Sequence, residues 1–557
     1  MLQSPPMEDF IHNLLTQRGI VTEEDRDRFF NPNYERDLHD PFLLKDMDAA
    51  VVRIVAAIEN KEKIAIYSDF DADGIPAGVL LAEFLQKVGH TNFVNYIPHR
   101  HTQGYGFHTT AVTELCTQNV SLIITADVGI ADVETVAYAA DRGVDVIITD
   151  HHLPKEQLPK AIAIVNPQRK DCVYPNKHLC GSGVAFKLVQ ALLTHSRKEK
   201  RVWVDAITEG WEKWLLDLVA IATVGDMVEL TGENRALVHF GILVLRKSKR
   251  PGIAALCKKL RLAKPFLTED DIGFSIAPRI NASSRMGSPE TAFRLLATHH
   301  EQEAVSMAKE LESLNNKRKG GVASIVRTLK ERFDDHEANV LVAGNPHWNP
   351  ALLGLAANSL VDTYGKTVCL WGREGTGSIK GSCRGNGDVG VVDLFTHMGE
   401  VLTQFGGHAH AGGFSVSGDN IYDIEKAFED AYVQMPKTNM TQSVSPDAAL
   451  PHDALEHTHR AIARMAPFGV GNPKPLFVYE NAHVTSLRQF GKEGLHLEMQ
   501  LRSGSLKEQI RAISFFKHPD SFTEKVTEGN QVNVIGTLEL SRFMGRVQFE
   551  LRVVDVV

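Results

Sequence analysis

Residues 63–74 read KIAIYSDFDADG, and this stretch decides the fold. Its first half, Lys63–Ser68, is short, continuously apolar and rich in β-branched side chains, which predicts a strand buried on both faces. It runs directly into three aspartates at two-residue spacing, Asp69, Asp71 and Asp73. A helical stretch follows over Ala77–Val88 and stops at Gly89. The pattern then recurs: Ser121–Ala126 (SLIITA) ends at Asp127 and precedes a helix over Ala131–Arg142, and Val144–Thr149 (VDVIIT) ends at Asp150, His151 and His152. A fourth apolar, β-like segment, Leu215–Val224, runs into Gly225 and Asp226. Strand, helix, strand at this spacing predicts a parallel sheet covered by helices on both faces.

In such a sheet the strand C-termini converge on one crevice. Six aspartates and two histidines would then crowd together. Two carboxylates ~4 Å apart repel by roughly 4 kcal/mol at an effective dielectric of 20. Without cations several of them would have to stay protonated at neutral pH. Hard divalent ions remove the conflict, and a carboxylate–imidazole mixture suits manganese or magnesium better than thiolate-loving metals. Two ions ~3.5–4 Å apart could activate water and clamp a phosphoryl group. Taken singly, a DxDxD run is often a solvated Asx-turn and a His-His pair is often a surface feature. The repeated placement of acids after apolar runs is what points to metal.

Outward from this region, Pro289–Phe333 carries Leu295, Leu296, Met307, Leu311 and Leu314 at helical offsets and reads as a connecting helix broken at Gly320–Gly321. A second α/β unit begins near Asn339, and residues 435–450 have the proline-punctuated polar composition of a linker. The last hundred residues alternate with period two over Leu476–Val484, Leu495–Leu501, Gln509–Phe515, Gln531–Leu540 and Arg546–Val554, which predicts five short strands in a small closed barrel. The expected fold class is therefore α/β: two α/β lobes joined by a long helix, plus a small closed C-terminal β-barrel. The expected boundaries are 1–50 (helical segment), 51–288 (first lobe), 289–335 (connecting helix), 336–437 (second lobe) and 451–557 (barrel).

The chain has 557 residues, 43% hydrophobic and 23% charged, enough to bury several cores, which excludes a disordered or collagen-like protein. Its net charge of −9 argues against a globally basic nucleic-acid coat, so any polyanion site must be a local patch or a metal centre. The six cysteines include no CxxC pair, so a structural zinc site or a disulfide framework is not expected, and a reducing cytoplasm fits. MLQSPPMEDF lacks the features of a signal peptide, and no apolar run reaches the ~18 residues that would span a membrane. No GxxxxGK[ST] is present, although GSGVAFK at 181–187 superficially evokes a phosphate loop.

YSDFDADG, ITADVGI, TDHH and VGDMVEL, in this order, resemble the four motifs of the DHH phosphoesterases. GSGVAFKL, PRINASSRMG, FGGHAHAGGF and APFGVGNPKPLF extend the likeness to the bacterial RecJ single-strand-specific exonucleases over nearly the whole chain. The resemblance implies a DHH domain, a DHH-associated domain and an OB-fold. It implies Asp71, Asp73, Asp127, His151 and Asp226 as metal ligands for two Mn or Mg ions, with Asp127 the bridge. Asp69 and Asp150 are either ligands or carboxylates that orient them, and His152 faces the scissile phosphate. Arg100, Ser382 and Arg384 resemble the pocket for a terminal 5′-phosphate, where a guanidinium fork binds phosphate oxygens bidentately. Arg279, Asn281, Arg285 and His408 match positions lining the groove between the lobes. Departures from the family pattern at Ser68, Ala126, Val128 and Gly225 spare every implied ligand, while the loop 385–389 lacks the Ser and Ile that usually follow Arg384.

The implied activity is 5′→3′ degradation of single-stranded DNA to 5′-mononucleotides, in recombination and repair. Single-stranded DNA, a single-strand-binding protein and a helicase are the implied partners; a monomer with no membrane association is expected. A phosphatase or nano-RNase acting on short oligonucleotides is disfavoured by the barrel, and a non-catalytic scaffold by the intact ligand set. A basic track is offered by Arg246, Lys247, Lys249, Arg250, Lys258, Lys259, Arg261 and Lys264, and by Lys317, Arg318 and Lys319. The barrel adds Phe490, Phe515, Phe516 and Phe543 beside Arg511, Arg542 and Arg546, a combination suited to stacking bases.

Overall fold

Three of the apolar runs that end in acids form adjacent parallel strands. The computed structural model describes residues 7–334, 337–374, 377–437, 444–491, 494, 496–503, 509–543 and 546–557. Strands β1 (Ile64–Ser68), β2 (Phe93–Tyr96), β3 (Leu122–Ala126), β4 (Asp145–Thr149) and β5 (Ala163–Val165) lie in the order β2-β1-β3-β4-β5, all parallel. On one face Ala65, Tyr67, Ile123 and Ile148 pack with Val112 and Leu115 of the Thr109–Thr117 helix and with Val136 and Ala139 of the Val133–Ala140 helix. The alternate residues Ile64, Ile66, Ile124 and Ile147 are equally buried. That two-sided burial is why these strands read as continuous rather than alternating apolar runs. The strand order reverses between β1 and β3, which places the ligand crevice of an open parallel sheet just beyond Ser68 and Ala126.

The fourth segment departs from expectation. Leu216–Gly225 is a helix, not a strand, and its residues Leu216–Thr223 are all buried. An apolar run without periodicity fits a buried strand and a buried helix alike. The tight backbone turns of this helix put Asp226 at its C-terminal end, with its N–H on the Ala222 carbonyl at 2.8 Å.

The second lobe holds β6 (Val340–Gly344), β7 (Thr367–Arg373), β8 (Ile379–Arg384), β9 (Leu402–Gly407) and β10 (Ala411–Val416) in the order β6-β7-β8-β10-β9, with only β6–β7 parallel. Cys369 on β7 and Cys383 on β8 face one another in the antiparallel register and form a single disulfide rather than part of a framework. Sequence spacing alone did not reveal that register. Between the lobes' sheets run the helices Glu290–Ala297 and Glu301–Phe333. The second is unbroken through Gly320 and Gly321, contrary to the expected break. A Cβ at Gly321 would lie 2.6 Å from Leu352 Cδ1, so this glycine permits close helix packing rather than a kink. These elements form one compact unit, His39–Asp226 with the chain from Gly241 to the end of the second lobe.

The other unit combines the chain up to Leu38, Met227–Phe240 and the C-terminal residues. Its strands are β11 (Ala448–Ala449), β12 (Phe477–Phe490), β13 (His496–Ser503), β14 (Gln509–Phe515), β15 (Gln531–Phe543) and β16 (Arg546–Val556). They run β11-β12-β13-β14-β16-β15, and β15 also pairs with β12, so the five long strands close on themselves. Phe10, Leu14 and Leu15 of the Met7–Gln17 helix join Phe477, Leu497, Met499, Val534 and Leu551 in its core. Arg235 binds three parts of this unit together by donating to the carbonyls of Phe29, Ala466 and Pro467. Positions 438–443 of the expected linker, and the side chains of Arg542, Phe543 and Arg546, lie outside the described residues.

Candidate metal centre

Each acidic cluster reaches the crevice from the end of its element. Asp71 Oδ1 accepts the N–H groups of Asp73 at 2.8 Å and Gly74 at 3.0 Å, an Asx-turn that opens the Gly74–Lys87 helix. A Cβ at Gly74 would lie 2.6 Å from Asp69 Cβ, so only glycine lets the turn fold back on β1. Asn281 Oδ1 holds the Ala72 N–H at 3.1 Å. Asp127 follows β3 with φ of 65°, a left-handed conformation that Asp and Asn tolerate better than other side chains. His151 Nε2 stands 3.1 Å from Asp127, 3.7 Å from Asp226 and 3.8 Å from Asp73.

Three sets of ligand atoms converge, each within 4.8 Å: Asp69, Asp71 and Asp127; Asp73, His151 and Asp226; and Asp127, His151 and His152. Burial, followed by repulsion from neighbouring carboxylates, holds Asp69 and Asp127 well above the usual carboxylate range and pushes Asp226 up to about 8. For Asp226 burial is the larger cause, and the charges of Asp73 and Asp71 add to it. The C-terminal end of a helix also carries partial negative charge, which penalises an anion at Asp226. One buried oxygen of Asp69 and one of Asp127 have no hydrogen-bond partner. Orphaned carboxylate oxygens at this spacing, mixed with imidazole, fit hard divalent cations. A cation would supply the missing partner and remove the repulsion.

The two carboxylates that the sequence leaves open, Asp69 and Asp150, sit in different surroundings. Asp150 is fully buried and accepts from the N–H of Ile130 at 3.0 Å, of His151 at 2.7 Å and of His152 at 3.1 Å, and from His152 Nδ1 at 2.7 Å. Burial would raise it, but these bonds, that of His152 foremost, hold it below the usual range. Three of these bonds fall on Oδ1, so that oxygen is taken up by His151 and His152. Burial opposes protonation of His152, yet the bond to Asp150 prevails and raises its pKa to about 9, so its ring presents a positive charge. Asp69, by contrast, lies among the ligand atoms.

A second feature is electropositive. Arg100 lies over the Phe70 ring at 4.4 Å. Arg384 Nη1 donates to Ser382 Oγ at 2.9 Å, and Gly354 leaves room for its guanidinium, since a Cβ there would lie 2.5 Å from Nη2. Arg285 donates to the Ala351 carbonyl at 2.7 Å. Its pKa is lowered by burial and then by the charges of Arg100, Arg318 and Arg384, so four guanidinium groups share one neighbourhood. Such a cluster calls for an anion. Of the residues expected to line the groove, two have other surroundings, although the charge of Arg279 reaches Arg318. Arg279 is buried against Glu312 at 2.9 Å and the carbonyls of Phe274 and Ser275, and His408 is exposed on the β9–β10 hairpin.

Several contributors escaped the sequence reading. Tyr105 Oη lies 3.2 Å from His152 Nδ1. Asn166 donates to the His152 carbonyl at 2.9 Å and Gln168 to that of His151, so both histidines are held from behind. Asn166 directly follows β5, the same strand-end placement that marks the aspartates. Arg318 was noted only as part of a basic cluster. Of the Arg246–Lys264 track, Arg250 is taken up by Glu83 and Asp217, while Lys247, Lys249, Lys258, Lys259 and Arg261 are exposed. On the barrel, Phe515 and Phe516 are exposed around His496, at 5.0 and 4.8 Å between ring centroids, with Arg552 over Phe515 at 4.4 Å.

Acids and histidine at the switch point of a parallel sheet suit metal-assisted phosphoryl chemistry. Matches to the DHH family N-terminal domain, the DHHA1 domain and the RecJ OB domain cover residues 63–223, 337–434 and 446–555. The single-stranded-DNA-specific exonuclease RecJ of Bacillus subtilis is 32% identical across 98% of this chain and 67% of its own length. That of Escherichia coli is 31% identical across 80% and 79%. The crystal structure of RecJ in complex with Mn2+ from Thermus thermophilus superposes with a TM-score of 0.77 at 27% identity, covering 100% of this chain and 78% of that one. Its Mg2+ complex gives 0.74 at 25% identity, with 100% and 77% covered. This chain belongs to the RecJ family of single-stranded-DNA-specific exonucleases.

Proposed function

We propose that this protein hydrolyses single-stranded DNA from a 5′ end, releasing 5′-mononucleotides, with two divalent cations at the carboxylate centre. One observation carries the reading: a cluster of acids with orphaned oxygens and a cluster of four arginines with Ser382 occur in the same compact unit. Asp71, Asp73, Asp226 and His151 would hold the ions with Asp127 between them, and Asp69 joins the ligands. Bound there, the cations would activate water and neutralise charge on the scissile phosphate. Asp150 keeps His152 protonated and aimed at that phosphate, and Tyr105 lies against the same ring. Arg100, Arg285, Ser382 and Arg384 bind the terminal 5′-phosphate, with Arg318 adding to their field, while Asn281 holds the Asp69–Asp73 loop in shape. A pocket that must grip a terminal phosphate accounts for a requirement for ends. The exposed aromatics of the barrel supply sequence-tolerant stacking for the strand.

Family membership supports a role in DNA recombination and repair, with a single-strand-binding protein and a helicase supplying ends. A cytoplasmic monomer is proposed with it. No helix among the described residues is long and apolar enough to cross a membrane. The reading is tested with 5′- and 3′-labelled single strands, a circular strand and a duplex, each in Mn2+, Mg2+ and EDTA. Immediate release of the 5′ label as mononucleotide, only with metal and only from linear single strands, is expected. Cleavage of the circle, or release of the 3′ label first, overturns the polarity; binding without cleavage in either metal makes the chain a scaffold.

A further inference from the structure

The motif GSGVAFK at 181–187 has the look of a phosphate loop, yet its lysine is turned away, with Lys187 Nζ on the His39 carbonyl at 2.7 Å. Its main chain cradles a different anion. The Gly181 N–H donates to Asp73 Oδ2 at 2.6 Å and the Ser182 N–H to Asp73 Oδ1 at 2.7 Å. Ser182 Oγ donates to the Asp73 carbonyl at 2.8 Å, and that carbonyl also accepts the Ala77 N–H at 3.0 Å. Asp73 is thus clamped between the first turns of two helices, Gly74–Lys87 and Gly181–Lys198. The same motif presses on a second acid: a Cβ at Gly181 would lie 2.5 Å from Asp127 Cβ and 2.6 Å from its Oδ1. Gly181 has ordinary helical φ, so closeness rather than backbone freedom demands glycine here.

We infer that the first turn of the Gly181–Lys198 helix is a positioning device for the metal centre, using main-chain N–H groups to fix the Asp73 carboxylate and the bare Gly181 to admit Asp127 beside it. The inference rests on the metal reading above. Unpaired helix N–H groups carry about half a positive charge, which favours an ionised carboxylate close to other acids. Each Asp73 oxygen gives one lone pair to the backbone and keeps another for a cation. The carboxylate therefore meets an ion already oriented. Losing outer-shell contacts of this kind typically weakens metal affinity 10–100-fold.

The test is Mn2+ binding to the full chain without DNA, followed by the electron paramagnetic resonance of free Mn2+, beside the Mn2+ dependence of cleavage. Ser182→Ala keeps the N–H and loses the hydroxyl; Ser182→Pro loses both, and proline is tolerated in a first helical turn. Gly181→Ala keeps the N–H and intrudes on Asp127. Expected are at most a few-fold weaker Mn2+ binding for Ser182→Ala and ~10–100-fold for Ser182→Pro and Gly181→Ala, with DNA binding in EDTA unchanged. Cleavage by these variants should recover at high Mn2+, which a general packing defect would not show. If wild type binds Mn2+ and folded Ser182→Pro and Gly181→Ala bind it equally well, the positioning role is refuted and the metal reading stands. If Ser182→Pro does not fold, Gly181→Ala and Ser182→Ala decide the matter. If wild type binds no Mn2+, the metal reading itself falls.

Discussion

Asp127→Asn should make the metal-free protein more stable while removing its response to metal. Asp127 shares a 4.8 Å neighbourhood with Asp69 and Asp71. At that limit two full charges repel by roughly 3.5 kcal/mol at an effective dielectric of 20. Protonation relieves part of this, since burial and the neighbouring acids already hold Asp127 and Asp69 well above the ordinary range. A gain of about 1–3 kcal/mol is then left for an uncharged isostere. Asparagine suits the left-handed backbone at this position and keeps an oxygen to face His151 Nε2, which stands 3.1 Å from Asp127 Oδ1. The assay is thermal unfolding of both proteins in EDTA and in excess Mn2+. In EDTA the variant should melt higher, by about 2–4 °C per kcal/mol for a domain of 150–250 residues. Wild type should gain about 2.7 kcal/mol from Mn2+ at a hundredfold excess over its dissociation constant, and the variant little. Cleavage should fall by about 10³-fold or more, as several kcal/mol of charge stabilisation are lost. If Asp127→Asn melts lower than wild type in EDTA, or keeps the full Mn2+ shift, the reasoning fails.

Other consequences follow from the same geometry. In EDTA, stability should decline as pH rises from about 4 to about 8, because Asp226 holds a proton in the folded state long after it has lost it in the unfolded chain; melting from pH 5.5 to 8.5 checks this, and a rising or flat profile contradicts it. Arg384→Met should raise KM at least tenfold for 5′-phosphorylated strands and little for 5′-hydroxyl ends, since a charge-assisted bond to phosphate contributes about 1.5–3 kcal/mol; equal loss on both substrates would remove Arg384 from the phosphate pocket. Phe516→Ala, at a side chain 78% exposed, should weaken single-strand binding by about 1–3 kcal/mol while leaving the melting temperature unchanged, and unaltered binding would take this ring out of the DNA path.

Much of the site is legible because strand-end aspartates follow directly on buried apolar runs. KIAIYSDFDADG, SLIITAD and VDVIITDHH needed no tertiary information, since a two-sided parallel sheet writes its burial into consecutive residues. What escaped depends on orientation across space. Leu216–Gly225 carries no periodicity to tell helix from strand. Gly321 looks like a break until Leu352 is seen against it. Asp69 and Asp150 are equivalent in sequence, and only the fold shows three backbone N–H groups on Asp150 and an unpartnered buried oxygen on Asp69. Arg279 and Arg318 are both plausible basic residues, and the sequence does not show that Arg279 is paired with Glu312. Main-chain donors, such as those on Asp73, leave only an unexplained GSG in the sequence.

The central claim is a two-ion centre organised around Asp127. Anomalous diffraction from crystals soaked in Mn2+ tests it most directly. The account predicts two peaks ~3.5–4 Å apart, one among Asp69, Asp71 and Asp127 and the other among Asp73, His151 and Asp226, with both lost or displaced in Asp127→Asn. A single peak remote from Asp127, or two peaks that persist unchanged in the variant, would contradict it.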